Sequence, residues 1–345
     1  MKNVAGTTEN VVTIRDIAKM ANVSIGTVSR VLNKSGYVSK ETKRNVEKAI
    51  ASTGYIPNVT ARSMVSKKSA IVGIIVPEIN NPFHSEFVTY ANRILNQEGF
   101  SVLLCNSEYD SENINRFIND LIQRNAEGLL VVSTEPEDET VLKKMNMRLE
   151  TVGVCAKIDN MDCINFTDQQ GAFDATEHLI SLGHKKIACV GVADRLSVSR
   201  ERLRGYKDAL RGHGLEVNEQ YIKTYAGTEN IGYNGTLALL ELDVPPTAIL
   251  YINDYYAINA YSALSSKGLK VGRDVSVCGF DDLPIAGLIN PPLTSIRSDI
   301  KGLAELSTDL MLKKLHEKKE QNKAETKKIL FATHLIKRDS TAPPQ

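Results

Sequence analysis

Residues 23–33, VSIGTVSRVLN, spell a helix whose first turn holds a β-branched residue and a glycine. Inside a helix glycine is less favourable than alanine by about 1 kcal/mol, and isoleucine gives up rotamer freedom against the preceding turn. Helix stability does not account for that choice, so the outer surface of the helix must. With a Ser24 cap, Val28, Val31 and Leu32 supply one inward face. Ile25, Gly26, Ser29, Arg30 and Asn33 then face out, joined by Thr27 at the N-terminal end.

Working outward, Thr13-Ile14-Arg15-Asp16 has the form of a capping box, and Ile14, Ile17, Ala18 and Ala21 follow one helical face, predicting a helix over residues 14–20. A third helix begins near Ser39, carries Thr42, Val46, Ala49 and Ile50 on one stripe, and stops at Gly54. Two short helices joined by a tight turn and closed by a third make a helix-turn-helix. The first turn of its second helix touches base edges, where a small residue permits close approach and an exposed apolar one meets a thymine methyl. Gly26 and Ile25 suit those roles. Ser29 and Arg30 suit phosphates, and helix amides near Ser24 suit backbone oxygens. Thr13, Thr27 and Asn33 complete the DNA-facing set. The alternative is a helical hairpin inside a larger core.

Charge favours the DNA reading. Residues 1–68 hold twelve Lys or Arg against four Asp or Glu, a net of +8, although the whole chain is only +1. A basic block on so small a unit suggests a polyanion partner. Arg15, Arg30, Lys34, Lys43 and Arg62 predict strongly salt-dependent binding.

Other classes recede. Apolar runs such as residues 71–76 are strand-length, far short of the ~20 residues that cross a bilayer, so no membrane partner is expected. The first residues lack an apolar signal core, which implies a cytoplasmic protein. Five scattered cysteines show no metal or redox spacing. No GxGxxG after a strand, GxxxxGK[ST], HExxH or GxSxG occurs, the histidines form no triad, and neither enzyme activity nor a cofactor is expected. His184 reads as a turn residue.

From residue 70, buried-strand runs at 70–77, 101–106, 128–133 and 151–155 alternate with helical patterns at 83–97, 111–125 and 138–145. A second series follows: a helix at 169–182, then strands at 186–192, 222–226, 248–253 and 275–280. Two βαβ series predict two doubly wound parallel-sheet lobes behind the small all-α head. Ligands collect beyond the carboxyl ends of such strands, so Asn253, Asp254, Asp281, Asp282, Asp168 and Arg202 are candidates from the second lobe. The first lobe offers Asn81-Pro82-Phe83-His84 and Asn106, with Phe83 and His84 presenting flat faces and Asn81 equally able to cap a helix. With no tryptophan in the chain, Phe83, Tyr255 or Tyr256 could stack on a sugar ring.

The run TIRDIAKMANVSIGTVSRVLN, then GYIPNVTARSM at 54–64, and HLISLGHKKIACVG, RLRGYKDAL, SVCGFDD and PPLTSIR further on, resemble the lactose- and galactose-repressor (LacI/GalR) family of bacterial transcription regulators. The resemblance implies a head over 1–57, a hinge helix and linker over 58–68, and a periplasmic-binding-protein-like core over 69–345. The lobes would comprise 69–165 with 293–328, and 166–292 with 329–340, joined by crossings near 166, 293 and 330. It implies sequence reading by Ile25 and Gly26, and a hinge in which Asn58 and Ala61 meet the operator centre and Met64 wedges apart a base step where relatives have leucine. Arg202, Asn253 and Asp281 match effector-contacting positions, and Asp168 sits one place from the usual acid. The implied protein is a homodimeric regulator, a repressor, of double-stranded palindromic operator DNA controlled by a sugar, sugar phosphate or related metabolite. A regulator read by a protein coeffector, and a sugar-binding protein of transport, are the alternatives.

Overall fold

The structure is a computed structural model; it describes residues 12–33, 35–55, 69–135, 139–192, 196–225, 230–316 and 326–345. The chain divides into two compact units, residues 1–69 and 70–345.

In the first unit, α1 (Ile14–Met20), α2 (Ile25–Asn33) and α3 (Lys40–Thr53) enclose Ile17, Ala18, Ala21, Val28, Val46 and Ala49. The ends are made locally. The Asp16 carboxylate accepts from the Thr13 N–H at 2.8 Å and its hydroxyl at 2.7 Å, and Ser24 Oγ accepts from the Thr27 N–H at 3.1 Å. Ser39 caps α3 through the Thr42 N–H, and Gly54 ends it at φ +63°, a left-handed conformation that suits glycine. The expected hinge, with Asn58, Ala61, Arg62 and Met64, lies outside the described residues, as does Lys34.

The second unit opens with β1 (Ile71–Val76), α4 (Pro82–Gln97), β2 (Ser101–Asn106), α5 (Ser111–Gln123), β3 (Gly128–Val132), α6 (Glu139–Arg148), β4 (Glu150–Val154) and β5 (Asp162–Phe166). It continues through α7 (Asp168–Ser181), β6 (Ile187–Val192), α8 (Ser197–Gly212), β7 (Ile222–Tyr225), α9 (Ile231–Leu240), β8 (Ala248–Tyr251), α10 (Asp254–Ser266) and β9 (Ser276–Asp281). The last elements are β10 (Thr294–Arg297), α11 (Ile300–His316), β11 (Lys328–Phe331) and β12 (His334–Ile336). The first sheet runs β11-β5-β4-β3-β1-β2, all parallel; the second runs β12-β10-β9-β8-β6-β7, with β12 antiparallel to β10. β1 shows the reason for two covered faces. Val72, Ile74 and Val76 pack with Phe87 and Ala91 of α4 and Leu303 and Met311 of α11, while Ile75 packs with Ile118 and Leu121 of α5.

Two expected lobe boundaries move. Thr294–Arg297 pairs with β9 in the second sheet, so the second crossing follows residue 297 instead of 293. Lys328–Phe331 pairs with β5 in the first sheet, so the third crossing follows residue 331. The first shift is set by pairing with the preceding strand, β9, and the second by pairing with β5, more than a hundred residues earlier. At the hinge the first and third crossings touch: Thr167 Oγ1 lies 3.1 Å from Thr333 Oγ1 and accepts from the Thr333 N–H.

Candidate functional site

In each sheet the chain reverses its winding direction at one point, between β1 and β3 and between β6 and β8, and ligands collect beyond the carboxyl ends of strands there. Much of the core's left-handed non-glycine backbone follows strand ends. Glu108 and Tyr109 after β2, Ser133 after β3, Cys155 after β4, and Asp281 and Asp282 at the end of β9 all have positive φ. Non-glycine residues in that conformation carry strain and gather at sites.

The chemistry centres on Arg202, in the second turn of α8. Its Nε donates to Asp168 Oδ1 at 2.7 Å, Nη1 donates to the Ile252 carbonyl, and Nη2 lies 3.4 Å from Asp281 Oδ1. The guanidinium sits 3.6 Å above the centre of the Phe280 ring, a close cation–π stack. All three ionic side chains are buried. Gly205, one turn further, lets α8 reach this position: a Cβ there would lie 2.0 Å from the Gln169 carbonyl of α7.

Two carboxylates share one guanidinium. Burial pushes the Asp281 carboxyl up to about 7, with Arg202 pulling it down and Asp168 pushing it up. Burial also raises Asp168, against the pull of Arg202. Asp281 Oδ1 is buried and has no partner in hydrogen-bond geometry among the described residues. Cys155 closes the site from the first lobe; burial, then Asp168, raises its thiol well above the usual value.

Other candidates are occupied. Asn253 Oδ1 caps α10 through the Tyr256 N–H at 2.9 Å, although its residue stays at the strand end beside Ile252. Asn81 is a helix cap, accepting from the Phe83 N–H. Phe83 packs in the first-lobe core, its ring centroid 6.5 Å from that of Phe166, so its flat face is not offered as expected. His84 is buried beneath the same turn, donating Nδ1–H to the Glu78 carbonyl at 2.8 Å, and burial lowers its pKa to about 4. Asn106 is exposed and pins two loops together, accepting from the Ile79 N–H and donating to Glu108. Asp254 accepts from the Leu283 N–H and the Ser295 hydroxyl, and Asp282 holds Arg297 and Arg338. Tyr256 is wholly buried in the second-lobe core. His184 is a buried tie, its ring nitrogens on Thr247, Ser276 and the Ala342 carbonyl.

Phe280, Cys155, Glu135 and Tyr109, which faces Tyr256 and the Glu78 carboxylate, carry no sequence signal beyond their place near the end of a strand. Beside Asp168 opens a cavity of about 680 Å³, walled by Lys157, Phe166, Phe173, Val198 and Glu201. No group of metal-ligating side chains occurs among the described residues. No helix among them is long and apolar enough to cross a membrane.

On the head, Ile25 is 45% exposed and Gly26, Ser24, Arg30 and Asn33 are exposed, with Thr27 and Ser29 half-buried. Asn33 Nδ2 donates to Ser29 Oγ at 3.2 Å along the outer face. A Cβ on Gly26 would meet only Ser24 Oγ at 3.7 Å, an ordinary contact. Packing within the head therefore does not demand glycine there.

Comparison with known proteins agrees with both units. The family described as bacterial regulatory proteins, lacI family, matches residues 13–58, and the periplasmic binding protein-like domain matches 176–341. The chain is 34% identical over 309 residues to the ribose operon repressor of Escherichia coli (strain K12), covering 88% of this chain and 93% of that one. It is 32% identical over 311 residues to the transcriptional repressor PurR of Histophilus somni (strain 129Pt), covering 89% and 93%. Its structure is similar to the lac repressor dimer bound to operator and the anti-inducer ONPF, with TM-score 0.82, 29% identity and coverage of 96% and 99%. It is also similar to a LacI family regulator of Enterococcus faecium with bound ribose, with TM-score 0.71, 25% identity and coverage of 80% and 100%. A helix-turn-helix head whose outer face its own packing does not explain, joined to a two-lobed core with strained strand ends, belongs to the lacI family of bacterial regulatory proteins: this chain is a DNA-binding transcriptional regulator.

Proposed function

We propose that this regulator is a repressor whose core takes a neutral, polyhydroxylated ligand of the free-sugar class, with ribose the leading candidate, among Asp168, Arg202, Asn253 and Asp281. The observation that carries the reading is Asp281 Oδ1, a buried acceptor outside hydrogen-bond geometry beside a guanidinium. Its contact with Arg202 is a long 3.4 Å ion pair, and a buried acceptor without a well-formed hydrogen bond gains from a donor, which a sugar hydroxyl supplies. Two buried carboxyl groups around one guanidinium leave no net positive charge to hold a phosphate, which disfavours a sugar phosphate. The ribose named for similar proteins supports the same class. The ligand is bound without turnover, as suits a chain whose relatives are named regulators.

On the DNA side, Ile25 and Gly26 read base edges, while Thr13, Ser24, Thr27, Ser29, Arg30 and Asn33 set the head on the backbone. Asn58, Ala61 and Met64 engage the operator centre. Two copies bind a palindromic site, protein symmetry matching DNA symmetry, in the cytoplasm where that DNA lies. Calorimetric titration of the full chain with D-ribose and D-ribose 5-phosphate tests the cleft. The sugar is expected to bind and to raise the melting temperature. Tighter binding of the phosphate ester would overturn the charge argument.

A further inference from the structure

Helix α8, which carries Arg202, begins at Ser197 after Leu196, whose side chain provides no cap. The acceptor comes from the other lobe. Glu135, just beyond β3, accepts from the Ser197 N–H at 3.1 Å, and its second oxygen lies 3.2 Å from Arg200. The first of those oxygens also accepts from the Lys157 N–H of its own lobe at 3.1 Å. A second bridge runs alongside, Lys157 Nζ to Glu201 Oε1 at 2.8 Å. The left-handed turn at Ser133 precedes the loop that carries Glu135. All of this lies within one to two helical turns of Arg202, and the charges of Glu201 and Lys157 are felt at Asp168.

We propose that Glu135 is a positioning residue for effector binding: from the first lobe it completes the N-terminus of the Arg202 helix and, with the Lys157–Glu201 pair, ties the two lobes together. A carboxylate at a helix N-terminus is held by both the free N–H groups and the helix dipole. The bridging ion pairs are partly exposed and individually weak, so the strap favours this lobe arrangement without locking it. The inference deepens the reading of the cleft as an effector site and rests on it for its consequence, although the strap itself is independent of any ligand.

Hydrogen exchange on the ligand-free full chain tests the strap. In Glu135→Ala the amides of Ser197 and Lys157, on opposite lobes, should exchange together about three- to tenfold faster than in the parent. Glu135→Gln, which keeps an acceptor, should restore much of that protection, while exchange in β3 and β8 stays unchanged in both variants. Acceleration at only one of the two amides, at neither, or throughout both sheets would overturn the proposal. Titration with D-ribose then reads the consequence: a loss of affinity in Glu135→Ala of the same factor supports positioning, and unchanged affinity overturns it. If D-ribose fails to bind the parent chain, the sugar assignment fails while the exchange result still decides the strap.

Discussion

Replacing Arg202 by methionine keeps much of the side-chain volume and removes the charge. It deletes the 2.7 Å pair with Asp168, the 3.4 Å approach to Asp281, the bond to the Ile252 carbonyl and the stack on Phe280. Breaking a buried ion pair from one side costs about 3–5 kcal/mol, because the remaining charge is left uncompensated. Here two carboxylates remain, and each can escape by taking a proton. Asp281 already stands at about 7 with the guanidinium present; without it both groups move further up. A carboxyl whose pKa is higher folded than unfolded binds more protons in the folded state between the two values, so stability falls as pH rises across that window. The substitution extends the window upward. We expect the cost to be about 3–5 kcal/mol at pH 8 and roughly 2 kcal/mol smaller at pH 5.5, each pKa unit being worth about 1.4 kcal/mol. The chain has no tryptophan, so urea unfolding is followed by far-UV circular dichroism at the two pH values. A cost that does not change with pH, or one below about 1 kcal/mol at pH 8, would refute the account of two carboxylates held by one cation.

Gly26→Ala should stabilise the head by up to about 1 kcal/mol, since the added methyl meets only Ser24 at 3.7 Å, yet weaken operator binding in a gel-shift titration; unchanged affinity would remove Gly26 from the DNA interface. His84, near 4 in the folded state, takes up a proton on unfolding between that value and the ordinary histidine pKa of about 6.5, so stability should drop by about 2 kcal/mol between pH 7.5 and pH 5. His84→Gln should flatten that part of the melting-temperature profile, and an unaltered slope would assign it elsewhere.

The head was legible because its signals are local. Caps at Thr13, Ser24 and Ser39 and the stripe of Ile17, Val28, Val46 and Ala49 lie within a few residues of what they cause. The βαβ alternation was legible for the same reason. Lobe membership of β10 and β11 was not: each strand has only four residues, too short for a pattern of its own, and the partner of β11 lies more than a hundred residues earlier. In the cleft, Arg202, Asp168 and Asp281 converge, whereas Asn81 and Asn106, equally polar and equally placed after strands, spend their side chains on loop backbone. Residue type and position after a strand do not distinguish a buried ionic cluster from a loop tie; the hydrogen-bond partners do. Glu135 shows the opposite failure, one of four acids within residues 135–139 with no periodic signature to single it out.

The interleaved connectivity of the lobes also governs how the protein is made. Residues 300–316 cover Leu130, Val132, Val152 and Val154 of the first sheet, but they leave the ribosome only after the whole intervening lobe. At about 5–20 residues per second, a growing chain carries an apolar sheet still lacking this cover for roughly 8–30 seconds. Chaperone capture of ribosome-bound chains should therefore concentrate in that interval, and a destabilised α11 would reduce cellular yield more than the equilibrium stability of the released protein would suggest.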